Sequence, residues 1–194
     1  MHKGRIVILS GPSGSGKTTL YKKILKDKTF RGRLIRSVSA TTRPKRRGEI
    51  HGRDYLFMTR KEFLAKKKRG YFLETQKVFT DYYGTPLASV RKILMDGKNT
   101  LLCIEVKGAQ VVMRKKQGTV SVFVKPPSVK ILKERLKKRA TEGRHELARR
   151  VNRTQMELAQ ARYYDYQIIN NDLKKCYQQL KNILVKELQL TKMS

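Results

Sequence analysis

The chain has 194 residues, 39% of them hydrophobic and 31% charged, with 46 Lys and Arg against 15 Asp and Glu for a formal charge of +31. That length suits one domain with small inserted subdomains, and the composition is that of a soluble, globular protein. No apolar stretch approaches the roughly 20 residues that span a bilayer, so no membrane association is expected. The N-terminus runs straight into the first strand, which leaves no room for a signal peptide. Two cysteines, Cys103 and Cys176, form neither a metal spacing nor a disulfide framework and fit a reducing cytoplasm. The basic residues are spread along the chain, with local runs at 45–47, 66–69 and 114–116. Most of this charge reads as solvated surface with nonspecific polyanion affinity, and no specific nucleic-acid partner is expected.

In chain order, residues 5–10 form a short apolar run that reads as a buried strand. Gly11-Pro12-Ser13-Gly14-Ser15-Gly16-Lys17-Thr18-Thr19 follows and fits G-x-x-x-x-G-K-[ST]. Behind it Leu20, Ile24 and Leu25 recur at helical spacing, predicting a helix near 17–27. Strand, glycine-rich turn and helix are the context in which this motif binds a nucleoside triphosphate with Mg²⁺. Backbone N–H groups of the loop point at the phosphates at a helix N-terminus. Lys17 adds a cation for the β- and γ-phosphates, and the Thr18 hydroxyl can ligate the metal.

The stretch 37–44 leads into a basic turn, and 55–58 reads as a short strand. Residues 61–68 read as a helix with Phe63 and Leu64 inward. Strands are predicted at 71–75 and 77–79, with 82–85 as their turn. A helix over 88–95 stops at Gly97. The apolar run 100–106 suits a parallel central strand, and 120–124 suits another, ending at Pro126-Pro127. Helices at 128–139 and 145–163, a last strand at 167–169 and a closing helix at 173–190 complete the pattern. Strands alternating with helices predict a parallel α/β sheet, with the strand-rich 37–85 as an insertion.

The segment 38–57, VSATTRPKRRGEIHGRDYLF, resembles the signature of the guanylate kinase family. The resemblance continues through Phe72-Leu73-Glu74, Tyr82-Tyr83-Gly84-Thr85, Pro126-Pro127-Ser128, Arg135, Arg139, Arg150 and Asn170-Asn171-Asp172, in one colinear order over nearly the whole chain. It implies a P-loop nucleoside monophosphate kinase with a five-stranded parallel core sheet flanked by helices. The core would comprise 1–36, 86–125 and 164–194. A mixed β/α GMP-binding subdomain would span 37–85, and a helical lid region 126–163. The implied reaction transfers the γ-phosphoryl group of ATP to GMP, giving ADP and GDP, in purine nucleotide metabolism and GMP recycling, with Mg²⁺ as cofactor.

Arg43 and Arg46 stand three apart in a turn, where two guanidiniums can clamp one phosphate. By the resemblance these two, with Tyr55 and Tyr83, hold the GMP phosphate. Guanine presents N1–H and an exocyclic amine as donors, which a carboxylate accepts; adenine would leave that carboxylate unpaired. Glu74 and Glu105 match the family's acidic guanine contacts, and Ser39 and Thr85 its hydroxyl contacts. Arg135, Arg139 and Arg150 resemble lid arginines that reach the triphosphate, and Asn170 the adenine-side contact. Because the acceptor is a phosphate with a second pKa near about 6, no general base is needed. Catalysis then falls to Lys17, Arg43 and the three lid arginines, through positioning and charge neutralisation.

The chain departs from the family pattern after the central strand, where it has Cys103-Ile104-Glu105-Val106-Lys107-Gly108. Glu105 is one methylene longer than the usual Asp. Cys103 replaces a carboxylate, and a thiol is a poor ligand for a hard cation, so a raised Mg²⁺ requirement is expected. Lys107 replaces a usual Gln and either faces phosphate or sits in solvent. Two other functions compete with the kinase. A kinase-like scaffold binding phosphopeptides through the arginine pocket is opposed by the intact Gly16-Lys17-Thr18. A basic nucleic-acid-binding protein would show affinity that falls steeply with salt and is indifferent to GMP.

Overall fold

The computed structural model describes residues 4–116, 118–128, 130–132, 134 and 153–190. The chain divides into two compact units, Met1–Val7 with Gly32–Thr119 and Ile8–Arg31 with Val120–Ser194.

Strand β1 (Ile6–Ser10) is buried throughout, as its apolar run requires. The five-stranded sheet it joins runs β2-β7-β1-β8-β9, where β2 is Leu34–Arg36, β7 Asn99–Cys103, β8 Val120–Lys125 and β9 Tyr166–Ile169. β2 pairs with β7 and β8 with β9, both in parallel. In the second unit, helix α1 (Lys17–Lys26) buries Leu20, Tyr21 and Ile24. The closing helix α5 (Leu173–Glu187) buries Cys176, Leu180 and Leu184, and the Asp172 side chain caps it by accepting from Lys175 N. Asp27, the C-cap residue of α1, accepts from Tyr177 Oη and, at 2.8 Å, from Lys181 Nζ, which ties α1 to α5.

The first unit carries a second sheet of order β4-β3-β6-β5, where β3 is Ala40–Thr41, β4 Leu56–Phe57, β5 Phe72–Val78 and β6 Asp81–Pro86. Helix α2 (Arg60–Lys68) opens with a reciprocal cap: Glu62 N donates to Thr59 Oγ1 at 3.2 Å, and Thr59 N to Glu62 Oε2 at 2.7 Å. Its Phe63 stacks on Phe72 and Tyr82 with ring centroids 4.5 and 5.5 Å apart, so α2 covers one face of this sheet. Leu64, expected inward with Phe63, is only half-buried, because it lies to the side of that contact line.

Three expectations need correction. Residues 82–85 are strand, not turn: β5 runs unbroken through 75–77, and Val78 pairs with Asp81 across a two-residue loop of Phe79 and Thr80. Phe79 sits there at φ 56°, a left-handed conformation that its residue type does not announce. The central run stops at Cys103 rather than Val106. Val106–Lys115 form a helix, α4, absent from the expected elements, with Glu105 as its N-cap residue. α4 buries Val106, Gly108, Ala109 and Val112. Helix α3 (Leu87–Met95) lies as expected, ending before Gly97 at φ 68°. The expected helix over 128–139 lies mostly outside the described residues. Of that over 145–163, residues 153–159 are helical and Gln160–Tyr163 a 3₁₀ turn.

Candidate active site

The glycine-rich loop joins β1 to α1 in the second unit. Gly16 occupies the N-cap of α1 at φ 98°, and no side chain caps the helix, so its first N–H groups are left for another acceptor. Asn170 packs directly on this position and donates from Nδ2 to Ser15 O at 2.8 Å, buried. Any β-carbon at residue 16 would collide with that amide. Asn170, expected on the adenine side, thus braces the loop backbone. Lys17 is buried along its stem, and its Nζ donates to the Gly11 and Pro12 carbonyls at 2.6 and 3.0 Å. Ser13, Thr18 and Thr19 are exposed, while Gly14 and Ser15 are buried. A glycine-rich loop with a buried cation and a helix start that no side chain caps is suited to polyphosphate.

The first unit assembles a different pocket on the sheet face opposite α2. Register does this. Glu74 pairs with Thr85 and Gln76 with Tyr83; Tyr83 pairs with Thr41, and Thr41 with Phe57. Alternation then sets Ser39, two residues before Thr41, and Tyr55, two before Phe57, on that same face. A register irregularity between Phe72 and Glu74 lets Phe72 stay on the α2 side while Glu74 turns to the other.

Glu74 is 5% exposed. Its Oε1 accepts from Thr85 Oγ1 at 2.7 Å, and its Oε2 has no partner among the described residues. Burial pushes its carboxyl up to about 7, against the opposing pull of the Thr85 hydrogen bonds. Ser39 and Thr85 are buried.

Arg43 lies over the rings of Tyr55 and Phe57, 5.5 and 5.8 Å from their centroids. Its Nη2 donates to Glu49 Oε1 and Oε2 at 2.8 and 3.0 Å, and its Nη1 to Pro44 O at 2.6 Å. Burial alone would disfavour the Arg43 charge, but the Glu49 carboxylate outweighs it and the guanidinium is held more firmly protonated than usual. Glu49 in turn is lowered, despite burial, by Arg43 and by Arg46 N, which donates to it at 2.8 Å. Tyr55 and Tyr83 meet edge to face with centroids 6.1 Å apart. Burial raises both phenols; Cys103, Tyr83 and Glu105 push Tyr55 further, while Arg36 opposes, and Arg43 opposes for Tyr83. Both tyrosines are therefore neutral donors at physiological pH. Arg46 is brought to the same turn through its backbone, with its side chain exposed.

Glu105 and Cys103 lie close enough to Tyr55 to act on it. Lys107 is exposed on α4. Arg135, Arg139 and Arg150 lie outside the described residues. Sequence reasoning assigned no role to Glu49, the anchor of Arg43, although its place in the 38–57 signature was a signal. Nor did it single out Arg36, whose guanidinium donates to Arg53 O and Asp54 O at 2.8 and 2.7 Å and secures the turn before Tyr55.

The family model described as Guanylate kinase matches residues 3–187. The guanylate kinase of Rickettsia typhi is 40% identical over 186 residues, covering 96% of this chain and 93% of that protein. That of Wolbachia pipientis wMel is 43% identical over 188 residues, covering 95% and 91%. The crystal structure of guanylate kinase from Anaplasma phagocytophilum is similar with a TM-score of 0.76 at 31% identity, over 100% of this chain and 89% of that one. A glycine-rich loop and an arginine–tyrosine cluster on a single polypeptide, matched over nearly the whole chain by the family model and these relatives, have one explanation: the chain belongs to the guanylate kinase family.

Proposed function

We propose that this chain transfers the γ-phosphoryl group of ATP to GMP, with Gly11–Thr19 as the triphosphate site and the sheet face of the first unit as the GMP site. The observation that carries the acceptor assignment is the Glu74 carboxylate, buried with its Oε2 unpaired among the described residues. A buried acceptor without a partner suits a ligand that brings donors, and guanine brings N1–H and its amine, which also draw the proton off Glu74. Thr85 and Ser39 supply hydroxyls beside it, and Glu105 adds a second carboxylate on the guanosine side. Arg43, Tyr55 and Tyr83 hold the GMP phosphate, with Arg46 reaching it from the same turn. Glu49, bonded to Nη2, keeps the planar Arg43 guanidinium oriented.

In the reaction, the bond from the γ-phosphorus to the β–γ bridging oxygen breaks, and that electron pair stays with ADP. A bond from a GMP phosphate oxygen forms. Lys17 neutralises charge on the β- and γ-phosphates, and Arg43 aligns the nucleophilic oxygen. Arg135, Arg139 and Arg150 are assigned to the γ-phosphate from their motif positions, within a lid at 126–163. Residues 37–85 form the GMP-binding subdomain, and the remainder is core. Asn170 acts on ATP by bracing the loop.

The donor set fits Mg²⁺. Thr18 sits exposed in the first turn of α1, and among the described residues no group of three or more His, Cys, Asp or Glu is gathered. A small hard cation that keeps its waters and shares phosphate oxygens is compatible with one hydroxyl ligand. When bound, it would neutralise developing phosphate charge. No helix among the described residues is long and apolar enough to cross a membrane. Neither Cys103 nor Cys176 is in a disulfide among the described residues, which supports placing the enzyme in the reducing cytoplasm.

The deciding experiment is ADP release from Mg²⁺–ATP with GMP, AMP, CMP and UMP in parallel. Turnover with GMP alone supports the assignment. Silence with every acceptor would overturn it.

A further inference from the structure

One buried polar side chain on the proposed GMP face has no part in the reaction described above. Gln76, on β5, is 9% exposed, and its Oε1 has no hydrogen-bond partner among the described residues. Buried amide oxygens are almost always paired, so an unpaired one calls for an explanation. Register determines where it points. Gln76 pairs with Tyr83 and Glu74 with Thr85, so the two β5 side chains leave the same face, about 7 Å apart along the strand. Thr75, between them, pairs with Gly84 and faces the other way.

Glu74 Oε2 and Gln76 Oε1 are thus two buried, unpaired acceptors, neighbours on one strand face. A ligand that satisfies both must present hydrogen-bond donors in adjoining positions. The phosphate end of a nucleotide has acceptors only. Guanine's Watson–Crick edge has three donor hydrogens, one on N1 and two on the exocyclic amine. A carboxylate takes N1–H and one amine hydrogen side by side, which leaves the second amine hydrogen. Glu105, the N-cap residue of α4 three residues before the Gly108 that packs on Glu74, is the competing acceptor for that hydrogen.

We propose that Gln76 is a specificity-determining residue for the acceptor, its side-chain carbonyl oxygen accepting the exocyclic-amine hydrogen of guanine that Glu74 does not take. This rests on the assignment of the face to GMP. Hypoxanthine has the same ring and N1–H but no exocyclic amine, so IMP isolates the contact. The neutral amide adds no charge to the pocket, and its contribution is confined to purines bearing the amine.

The test compares GMP and IMP as acceptors in the full chain with Gln76→Leu, which keeps side-chain volume, and Gln76→Glu, which keeps an acceptor oxygen. In Gln76→Leu the GMP-over-IMP ratio of kcat/KM should fall about tenfold through a higher KM for GMP. KM for ATP, kcat at saturation and kcat/KM for IMP should hold within about twofold, because only one ground-state contact is removed. Gln76→Glu should retain most of the ratio. Equal losses for GMP and IMP, or no change in the ratio, would make Gln76 a packing residue and overturn the proposal. So would a ratio that moves with Glu105→Gln and not with Gln76→Leu. If Gln76→Leu does not fold, Gln76→Ser read by GMP- and IMP-induced thermal shifts gives the same comparison. Glu74→Gln separates the two levels of inference: loss of GMP preference there with an unmoved Gln76 ratio sinks only the Gln76 contact. No effect from either variant would remove the GMP assignment itself.

Discussion

Gly108, inside helix α4, lies directly against the carboxylate of Glu74: a β-carbon at 108 would overlap Oε2 and come within 3.0 Å of Cδ. A glycine inside a helix costs about 1 kcal/mol relative to alanine. Here it lets the helix approach β5 closely enough to bury an acidic side chain. Gly108→Ala should displace the Glu74 carboxylate and raise KM for GMP at least about tenfold, with KM for ATP unchanged. Initial-rate kinetics with each substrate varied would check this; an unchanged KM for GMP would show that Glu74 relaxes without loss.

The buried Glu74 carboxyl has a stability consequence. Burial raises it from an ordinary value of 4.5 to about 7. The folded chain therefore holds a proton that the unfolded chain releases, and the stability contributed through this group is full below pH about 4.5 and is lost as pH rises through about 7. Glu74→Gln cannot ionise. It should be more stable than the parent at pH 8 by about 2–3 kcal/mol, with the gap closing below pH 5. Urea unfolding at pH 8 and pH 5 reads this directly. In the parent, GMP affinity should rise from pH 6 to pH 8 as Glu74 becomes the acceptor.

Glu49 touches Arg43 through both oxygens and the Arg46 backbone through one. Glu49→Gln removes the charge that holds the fork. KM should rise about tenfold for GMP and equally for IMP, because the loss is at the phosphate end and is blind to the base. A loss confined to GMP would place Glu49's influence on the base instead.

Asp27 ties α1 to α5 and, despite burial, is held well below the usual carboxylate range by Lys181, Tyr177 and Thr29 N. A depressed carboxyl contributes stability that is present above its unfolded value and is lost as pH falls toward the folded one. Asp27→Asn should therefore lose about 1 kcal/mol at pH 7, and less at pH 3. Chemical denaturation at the two pH values tests the sign.

Cys103 ends β7 where the family resemblance has a carboxylate. Cys103→Asp should lower the Mg²⁺ concentration for half-maximal activity several-fold, since oxygen suits a hard cation better than sulfur. Titration of both proteins at fixed ATP decides it; identical half-saturation would dissociate Cys103 from metal use.

Much of this was legible because the chemistry is contiguous. Gly11–Thr19 needs only local turn geometry and a following helix, and 38–57 carries Arg43, Arg46, Glu49 and Tyr55 within one short loop and strand. The failures have equally local causes. Gly84 suggests a turn, yet it lies in β6 with Phe72 and Phe63 packed on it, while Phe79, an unlikely residue for a left-handed conformation, makes the actual bend. Gly108 weakens the helical signal of α4, and nothing nearby in the chain says that it is there for Glu74.

From residue order alone came the phosphate loop, the family resemblance and the residue types that can grip a nucleotide, because each is written in consecutive or regularly spaced side chains. Tertiary structure decided which of them act together. Cross-strand register set Glu74, Gln76, Tyr83 and Thr85 on one face, and the approach of α4 buried Glu74. Burial in turn raised its affinity for a proton and left its Oε2 without a partner among the described residues. Those properties belong to pairs of residues that meet only in the folded chain, and the free energy of an unpaired buried acceptor exists only once water has been excluded from it.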